Sequence, residues 1–300
     1  MVKVLFVNHK ENRCGVYQFC KRIYGLVSKS KEVNYIYSEV TSLQEFLDAF
    51  NREHPDVIIY NYHHSPMGWL TESIVDSINA RQLFIFHEYT RFEKEFLFFG
   101  KQNIPYPKSI LLPKPLFDYE NKYELPSIPN IGTFGLQHFV HGGAERLVKL
   151  VNDTFEEAVI NILMPVGAYT GHSLGDTMRD ADRCRALITN PKIILNITHD
   201  FLPEIELLNF LARNNINAFL YENSHSGYSD VTDYALSVKR PIALTNVDTF
   251  EYIICDEIDI GKYSLKEIMD NGIKPLEKFY EMWSTDKFRD ILDLHILEKK

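Results

Sequence analysis

Cysteine is scarce in this sequence, and nothing in the pattern suggests that the few present are cross-linked or bind metal. The four cysteines are Cys14, Cys20, Cys184 and Cys255, and none belongs to a Cys-x-x-Cys pair of the kind found in zinc and redox sites. The apolar run at residues 1–7 is too short for a signal-peptide core or a membrane span. We therefore expect free thiols, a cytoplasmic location and no transmembrane segment.

An excess of positive charge is also missing. The formal net charge is −9, and residues 1–126 contain equal numbers of basic and acidic residues, so the excess of negative charge lies in the remainder of the chain. Proteins that bind nucleic acid through its phosphates usually carry a basic patch. We therefore do not expect nucleic acid as a partner. The sequence also lacks the basic amphipathic helix of proteins that dock on membranes, and nothing in it specifies an oligomeric state.

Apolar and aromatic residues are plentiful. Of the 300 residues, 45% are hydrophobic and 24% are charged, which is an ordinary globular balance and excludes a disordered chain. The length suits two domains of about 150 residues each. The 17 tyrosines and 20 phenylalanines suit either a dense core or sugar-stacking surfaces, and the dense core is favoured.

Strand and helix patterns alternate through the first half of the chain. The β-branched run at residues 2–7 is typical of a buried parallel strand. A polar loop leads from it to Gly15, after which apolar residues recur every three or four positions, as in an amphipathic helix. Residues 56–62 and 83–86 are typical of further buried strands. A strand, a glycine-containing loop and a helix together form the first unit of a nucleotide-binding sheet.

A second series of the same kind follows a proline-rich segment. Five prolines between residues 107 and 130 indicate a linker, and a strand at 128–134 then ends at a glycine. Because repeated βα units favour parallel sheets, we predict an α/β fold with two Rossmann-like domains facing a cleft. The predicted domains are residues 1–125 and 126–275, followed by helices over 276–300 that could cross back to the first domain.

Several segments, in their order along the chain, resemble one family. In the first half they are Pro55-Asp56-Val57-Ile58-Ile59, a histidine-containing loop and Phe86-His87-Glu88. In the second half they are Ile131-Gly132-Thr133-Phe134-Gly135, residues 200–206, and the stretch from Tyr221-Glu222 through Gly227-Tyr228-Ser229-Asp230 to Lys239-Arg240-Pro241-Ile242. Across most of the chain, this order and spacing resembles the family-4-like GT-B glycosyltransferases (glycosyl transferases group 1).

The resemblance implies the GT-B architecture, with an N-terminal acceptor domain and a C-terminal donor domain. It implies a hexosyltransferase-like enzyme of glycan biosynthesis, which moves a sugar from a nucleotide diphosphate sugar to a hydroxyl group of a glycan or another acceptor. In the family the anomeric configuration is retained, and neither a metal ion nor another cofactor is required. Helix N-termini and backbone amides would then stabilise the departing diphosphate.

Candidate residues of the first half follow its predicted strands. Gly15 would let the backbone approach the donor at the start of the first helix, where free amides favour an anion. We predict catalytic roles for His64, His87 and Glu88, because an imidazole or a carboxylate at a strand end could orient or deprotonate an acceptor hydroxyl. Adjacent histidines rarely share one ion, so no metal site is predicted.

Candidate residues of the second half concern the donor. Gly132 and Gly135 are positions at which a ligand could approach the backbone closely, and His141 could contact a phosphate. A Gly-Tyr-Ser turn at a helix start offers backbone donors to a diphosphate, and Glu222 could accept hydroxyl groups of a ribose or sugar. The predicted donor-binding residues are Gly15, Gly135, His141, Tyr221, Glu222, Ser226, Gly227, Tyr228 and Ser229.

Two departures from the family pattern keep alternatives open. Ser226 and Tyr234 occupy the positions at which the family usually carries two glutamates, and His141 lies nearest the position of a usual lysine. The fold could therefore serve as a non-catalytic nucleotide-binding or scaffold protein. Two enzyme alternatives are a glycosyltransferase that modifies DNA bases, against which the neutral first half argues, and an epimerase acting on sugar nucleotides.

Overall fold

The chain folds into two compact α/β units. The computed structural model describes residues 1–87, 92–99, 108–135, 143–168, 171–222 and 229–298. One unit consists of Met1–Pro115 together with Trp283–Lys300, and the other of Leu116–Met282. Each unit is built on its own parallel sheet. The predicted α/β class with two Rossmann-like domains is thus confirmed.

The sheet of the first unit has six parallel strands. They are β1 (Val2–Asn8), β2 (Val33–Glu39), β3 (Val57–Tyr60), β4 (Arg81–Ile85), β5 (Glu95–Phe99) and β6 (Ser109–Leu112). Their order in the sheet is β2-β1-β3-β4-β5-β6. The order reverses between β1 and β3, and the carboxyl ends of strands at such a reversal are where open α/β sheets bind their ligands.

Helices cover this sheet in the described part of the first half. They are α1 (Gly15–Val27), α2 (Leu43–Glu53) and α3 (Glu72–Ser77). Helix α2 is capped at its N-terminus, because the Ser42 side chain accepts a hydrogen bond of 3.3 Å from the Glu45 amide. Helix α2 buries Phe46 against Tyr60 of β3, with ring centroids 5.7 Å apart. The abundant aromatic residues therefore form a dense core here, as the composition indicated.

The sheet of the second unit has five parallel strands. They are β7 (Asn130–Phe134), β8 (Ala158–Leu163), β9 (Ile193–Thr198), β10 (Ile216–Phe219) and β11 (Ile242–Leu244). Their order is β11-β10-β7-β8-β9. The first strand of this unit, β7, lies between β8 and β10, so the reversal of strand order falls at the crevice between β7 and β10.

Six helices belong to the described part of the second unit. They are α4 (Gly143–Thr154), α5 (Leu174–Ala186), α6 (Glu204–Ala212), α7 (Val231–Ser237), α8 (Leu265–Asn271) and α9 (Glu277–Met282). Two of them begin with complete capping boxes, formed by Ser173 with Asp176 and by Ser264 with Glu267. Such caps satisfy amide groups that have no partner within the helix. None of the helices among the described residues is long and apolar enough to cross a membrane.

A row of asparagines crosses the second sheet at Gly132. Asn217, Gly132, Asn161 and Asn196 are register partners on β10, β7, β8 and β9. Gly132 has no side chain, and the space above it is taken by Asn214, whose amide bonds to Asn161 and to Asn217, each at 3.0 Å. A Cβ atom on Gly132 would lie 1.9 Å from the Asn214 amide nitrogen. The close approach predicted at Gly132 is therefore made by a side chain of the protein.

The last helix, α10 (Thr285–Glu298), belongs to the first unit. Its buried carboxylate, Asp293, accepts hydrogen bonds from the Ser30 hydroxyl at 2.5 Å and the Tyr35 hydroxyl at 2.7 Å. Burial and this bond raise the pKa of Tyr35 well above its usual value. Ser284 caps the start of α10, since the Lys287 amide donates to the Ser284 hydroxyl at 3.4 Å.

Residues 113–126 have no regular secondary structure, and side chains of the second unit hold the segment that follows Pro115. The Phe117 amide donates to the Ser237 hydroxyl at 2.8 Å. The buried Arg240 guanidinium donates to the Tyr123 carbonyl at 2.6 Å and to the Ala212 carbonyl at 2.8 Å. Arg240 thus fastens the connecting segment to the second unit.

Candidate functional site

Polar side chains meet where the central strands of the first sheet end. Asn8 is the last residue of β1, Asn61 directly follows β3, and His87 follows β4. These strands are neighbours, so their carboxyl ends lie side by side. The Asn61 side chain is 2.7 Å from Asn8 through its amide nitrogen and 2.7 Å from His87 Nε2 through its oxygen. A continuous hydrogen-bonded chain therefore joins three strand ends.

The two asparagines are also bonded to the surrounding elements. Asn8 and Asn61 are fully buried, and buried amides require partners. Asn8 Nδ2 donates to the Tyr37 hydroxyl at 2.8 Å and to the Tyr17 carbonyl at 3.2 Å. Asn61 Nδ2 also donates to the Val16 carbonyl at 2.9 Å. The start of α1 is thereby fixed against the ends of β1 and β3.

The rings of three further histidines lie close to one another next to these hydrogen-bonded residues. The ring centroids of His9 and His63 are 6.1 Å apart, and those of His63 and His64 are 5.1 Å apart. Burial, followed by the nearby His63 and His9, lowers the pKa of His87 to about 3. Burial, followed by the nearby His63, lowers the pKa of His9 to about 4. Both imidazoles are therefore neutral near pH 7, as suits a hydrogen-bond acceptor or a base.

The predicted residues of the first half occupy different places in this arrangement. His87 is hydrogen-bonded to Asn61, which is in turn hydrogen-bonded to Asn8. His64 is exposed on the loop after β3, where its ring stacks on His63 and its Nε2 lies 3.1 Å from the Ser65 hydroxyl. Gly15 is the first residue of α1. Glu88 lies outside the described residues.

A second group of predicted residues lies at the crevice of the second sheet. Gly135 follows β7, and Tyr221 and Glu222 come shortly after β10. Helix α4 begins at Gly143, where an added Cβ atom would lie 3.2 Å from the Leu220 carbonyl oxygen. The N-terminus of α4, a helix of 12 residues, therefore abuts the end of β10. Free amides and the helix dipole favour an anion at such a position.

Tyr221 is held firmly at this crevice. Its hydroxyl is 3.2 Å from the Ser229 hydroxyl, and its carbonyl accepts a bond of 2.8 Å from the Thr245 hydroxyl. Its ring packs against Phe250 with centroids 4.9 Å apart. Burial raises the pKa of Tyr221 to about 12, so it is a neutral hydroxyl near pH 7. The predicted residues His141, Ser226, Gly227 and Tyr228 lie outside the described residues.

Tyr234, at the position where the family that the sequence resembles usually carries a glutamate, packs on aromatic rings. Its ring centroid is 5.5 Å from that of Phe134, the last residue of β7, and 4.3 Å from that of Phe117. Among the described residues, no group of three or more His, Cys, Asp and Glu side chains is arranged to hold a metal ion.

Asn8, His9 and Asn61 were not predicted as site residues. Asn8 and His9 lie at the end of β1, and Asn61 directly follows β3. The strand order reverses between these two strands. A polar residue at the end of an apolar run was the available signal. It became informative only when the strand order placed β1 next to β3.

Comparison with known proteins establishes the fold. No family profile and no curated protein matches the sequence. A glycosyltransferase from Rickettsia africae superposes with a TM-score of 0.63 at 12% identity, covering 100% of this chain and 99% of that one. Anabaena HepE, solved with UDP and glucose, gives a TM-score of 0.69 at 9% identity over 99% and 100% of the two chains.

A third similar structure is an alpha-glucosyltransferase in complex with UDP and a 13-mer DNA that contains an HMU base. Its TM-score is 0.61 at 11% identity, with 99% of both chains covered. At these identities the likeness concerns the fold, and the predicted GT-B fold is confirmed. The closer affinity to family 4 stays a prediction.

Proposed function

We propose that the protein is a glycosyltransferase that moves a sugar from a nucleotide diphosphate sugar to a hydroxyl acceptor. The observation that carries this proposal is the N-terminus of α4, which abuts Leu220 and Tyr221 after the end of β10, at the crevice where the strand order reverses. This anion-favouring helix end and the exposed Glu222, the residue after Tyr221, match the two parts of a nucleotide sugar: the diphosphate and the hydroxyl-bearing rings.

Each group at this crevice has a role in the proposal. The amides of the first turn of α4 bind the diphosphate and stabilise it as it leaves. The Glu222 carboxylate accepts hydroxyl groups of the ribose or the sugar. Gly135 and Ser229 bring backbone and hydroxyl donors to the same edge, and the predicted His141, Ser226, Gly227 and Tyr228 complete the donor site.

The ends of β1, β3 and β4 form the acceptor side in this proposal. His87 accepts a hydrogen bond from a substrate hydroxyl, and His64 and Glu88 are further catalytic candidates. We propose a retaining transfer of a hexose that requires no metal ion, by a cytoplasmic enzyme of glycan synthesis. The family resemblance of the sequence motifs is the basis for the retaining, metal-independent transfer and the role in glycan synthesis, and the cytoplasmic location rests on the free thiols expected from the sequence.

A thermal-shift screen against UDP, GDP, ADP, CMP and dTDP and their common sugars tests the donor site. A ligand that binds only the folded protein stabilises it by about 2.7 kcal/mol at a hundredfold excess over its dissociation constant, so one nucleotide class should raise the melting temperature. Glu222→Gln should weaken binding of that nucleotide sugar. Glu157→Gln, which alters another exposed glutamate of the same unit, is the matched control and should bind as the wild type does.

Two outcomes of the screen would contradict parts of this proposal. If no nucleotide or nucleotide sugar shifts the melting temperature, the assignment of the α4 crevice to these donors is wrong. If a nucleotide binds but Glu222→Gln and Glu157→Gln behave alike, the nucleotide site stands and the role of Glu222 is rejected.

A DNA-base glycosyltransferase is the second candidate, and one observation favours it. A structure of the same fold was solved with DNA containing an HMU base, although the neutral first half of this chain argues against a DNA surface. Incubation with a labelled nucleotide sugar and either hydroxymethylated DNA or an oligosaccharide separates the two. Label on the DNA alone would favour this candidate over a glycan acceptor.

A non-catalytic nucleotide-binding protein is the third candidate. It is favoured by Tyr234, which packs on Phe134 and Phe117 where the family has a glutamate. Binding of a nucleotide sugar without transfer, hydrolysis or epimerisation of the sugar would identify it.

A further inference from the structure

We propose that Asn8 and Asn61 fix the tautomer of His87, so that His87 presents Nδ1 as an uncharged hydrogen-bond acceptor to a ligand hydroxyl. The proposal follows from the types of hydrogen-bonding groups along one chain of contacts. An amide side chain has one donor end and one acceptor end, and an imidazole that is neutral has one nitrogen of each kind. The identity of each end can therefore be worked out from fixed backbone groups.

The orientation of Asn8 is determined at both ends. One terminal atom lies 3.2 Å from the Tyr17 carbonyl oxygen, which can only accept, so this atom is the nitrogen. The other lies 3.0 Å from the His9 backbone amide, which can only donate, so this atom is the oxygen. The two assignments agree, and neither depends on a rotatable hydroxyl.

The orientation of Asn61 follows in the same way. One terminal atom lies 2.9 Å from the Val16 carbonyl oxygen and 2.7 Å from Asn8 Oδ1. Both neighbours accept, so this atom must be the donating nitrogen. The remaining terminal atom of Asn61 is an oxygen, and it faces His87.

The protonation of His87 is then fixed. Its Nε2 lies 2.7 Å from Asn61 Oδ1, and an oxygen of this kind cannot donate, so Nε2 carries the hydrogen. In a neutral ring the lone pair is left on Nδ1. The ring is kept neutral by burial and by the nearby imidazoles of His63 and His9, and its edge-to-face contact with Phe19, at 5.3 Å between centroids, adds an apolar wall.

A neutral acceptor selects the chemistry of its ligand. A sugar hydroxyl has a proton to donate to Nδ1, whereas an ionised phosphate or carboxylate has none and would meet a lone pair. His87 therefore matches the hydroxyl-bearing part of a substrate and not the diphosphate. The assignment of this hydroxyl to a sugar rests on the proposed function, whereas the tautomer itself does not.

Nitrogen NMR of the histidine rings tests the tautomer directly. The full chain is labelled with ¹⁵N-histidine, and correlations between the ring nitrogens and the ring carbon-bound protons are recorded at pH 7. The His87 signals are assigned by their loss in His87→Gln. We expect a protonated Nε2 and an unprotonated Nδ1. A protonated Nδ1, or a ring protonated at both nitrogens, would overturn the proposal.

A pair of variants tests the role of Asn61. Asn61→Ala removes the acceptor at Nε2, so the ratio of the Nε2–H to the Nδ1–H tautomer should fall roughly fivefold, as expected for one ordinary hydrogen bond. Asn51→Ala, at an exposed position of α2, is the control and should leave the ratio unchanged. An unchanged ratio in folded Asn61→Ala would refute the role of Asn61.

The outcome of these measurements does not depend on the outcome of the donor-site test. If Asn61→Ala does not fold, the spectrum of the wild-type protein alone decides whether His87 carries the predicted hydrogen. If the predicted tautomer is found but no nucleotide sugar binds, the glycosyltransferase proposal fails while the inference about His87 holds.

Discussion

At Gly132 the second sheet has no room for a side chain. The Asn214 amide occupies the space above it, and a Cβ atom would lie 1.9 Å from that nitrogen. In Gly132→Ala, the Asn214 side chain must move and its bonds to Asn161 and Asn217 are disturbed. We expect a loss of about 1–3 kcal/mol in the free energy of unfolding, as is usual when a packed interior is overfilled, measured by urea denaturation.

Gly25→Ala provides the control for this substitution. Gly25 lies in α1, and an added Cβ atom there meets nothing within 4 Å. Alanine is favoured over glycine inside helices by up to about 1 kcal/mol, so this variant should be as stable as the wild type or more stable. Equal losses in both variants would show that Gly132 is not constrained by Asn214.

A second prediction at the scale of single residues concerns how protonation of His9 changes the stability of the protein. Its pKa is lowered to about 4 in the folded protein, whereas an unfolded histidine titrates near 6.5. As the pH falls below about 6.5, the unfolded state takes up a proton that the folded state does not. The stability should therefore fall between about pH 6.5 and pH 4, with a contribution of up to about 1.4 kcal/mol per pH unit from this one group.

The contribution of His9 can be isolated by comparing unfolding free energies from pH 7.5 to 5. His9→Asn retains an acceptor for the Glu11 amide, which donates to His9 Nδ1 at 3.2 Å, and it should show a shallower loss with acid than the wild type. His54→Asn changes an exposed histidine at a positive φ of 46°, which asparagine tolerates. That variant should keep the wild-type slope. A wild-type slope in His9→Asn would count against the lowered pKa.

A candidate site residue could be predicted from the sequence when the single apolar run before it was enough to place it at a strand end. His87 follows the apolar run of β4, the neighbour of β3, and Tyr221 follows that of β10, at the reversal of strand order in the second sheet. Asn8 and Asn61 were not predicted, because their importance comes from a contact across 53 residues of the chain. A pattern along the chain does not contain the order of strands in the sheet, so it cannot reveal such a pair.

Helix α10 provides a prediction at the scale of elements. Leu292 is fully buried and Leu294, two positions away, is 52% exposed. Leu292→Ala removes buried methyl groups and leaves a cavity, so it should cost about 2–5 kcal/mol in the free energy of unfolding. Leu294→Ala should change it by no more than about 0.5 kcal/mol. Urea denaturation of the two variants is the measurement, and similar values for both would contradict the observed orientation of α10.

Several strands could be predicted, but the two edge strands of the first sheet, β2 and β6, could not. Strand β3 is a continuous apolar run, and β1 is one apart from Lys3 and Asn8, because both faces of these strands are buried. Strand β7, which contains Asn130, Gly132 and Thr133, was predicted from its position before a glycine. Strand β2, Val33–Glu39, is an edge strand in which Asn34 is exposed, and its polar residues concealed it. Strand β6, Ser109–Leu112, lies between Pro107 and Pro113, which were interpreted as part of the linker. An edge strand tolerates such neighbours because it pairs on one side only.

At the scale of the whole molecule, we predict which fragments of the chain can fold on their own. The first unit contains α10, which buries Phe288, Leu292 and Ile296. Residues 1–115 alone would expose the surface that these side chains cover, so we expect this fragment to be insoluble or unfolded by circular dichroism. Residues 1–115 joined to 283–300 by a short flexible linker should fold. Cooperative unfolding of residues 1–115 alone would show that α10 is dispensable.

The place of α10 also has a consequence for the order of events during synthesis. Domains generally fold as units, the N-terminal one first, while the ribosome is still adding residues. Here the first unit includes Trp283–Lys300, which is translated only after the entire second unit. The first unit is therefore completed only when residues 283–300 have been made, and the apolar surface that α10 covers is exposed until then. Of these two units, the one whose synthesis begins first is completed after the other.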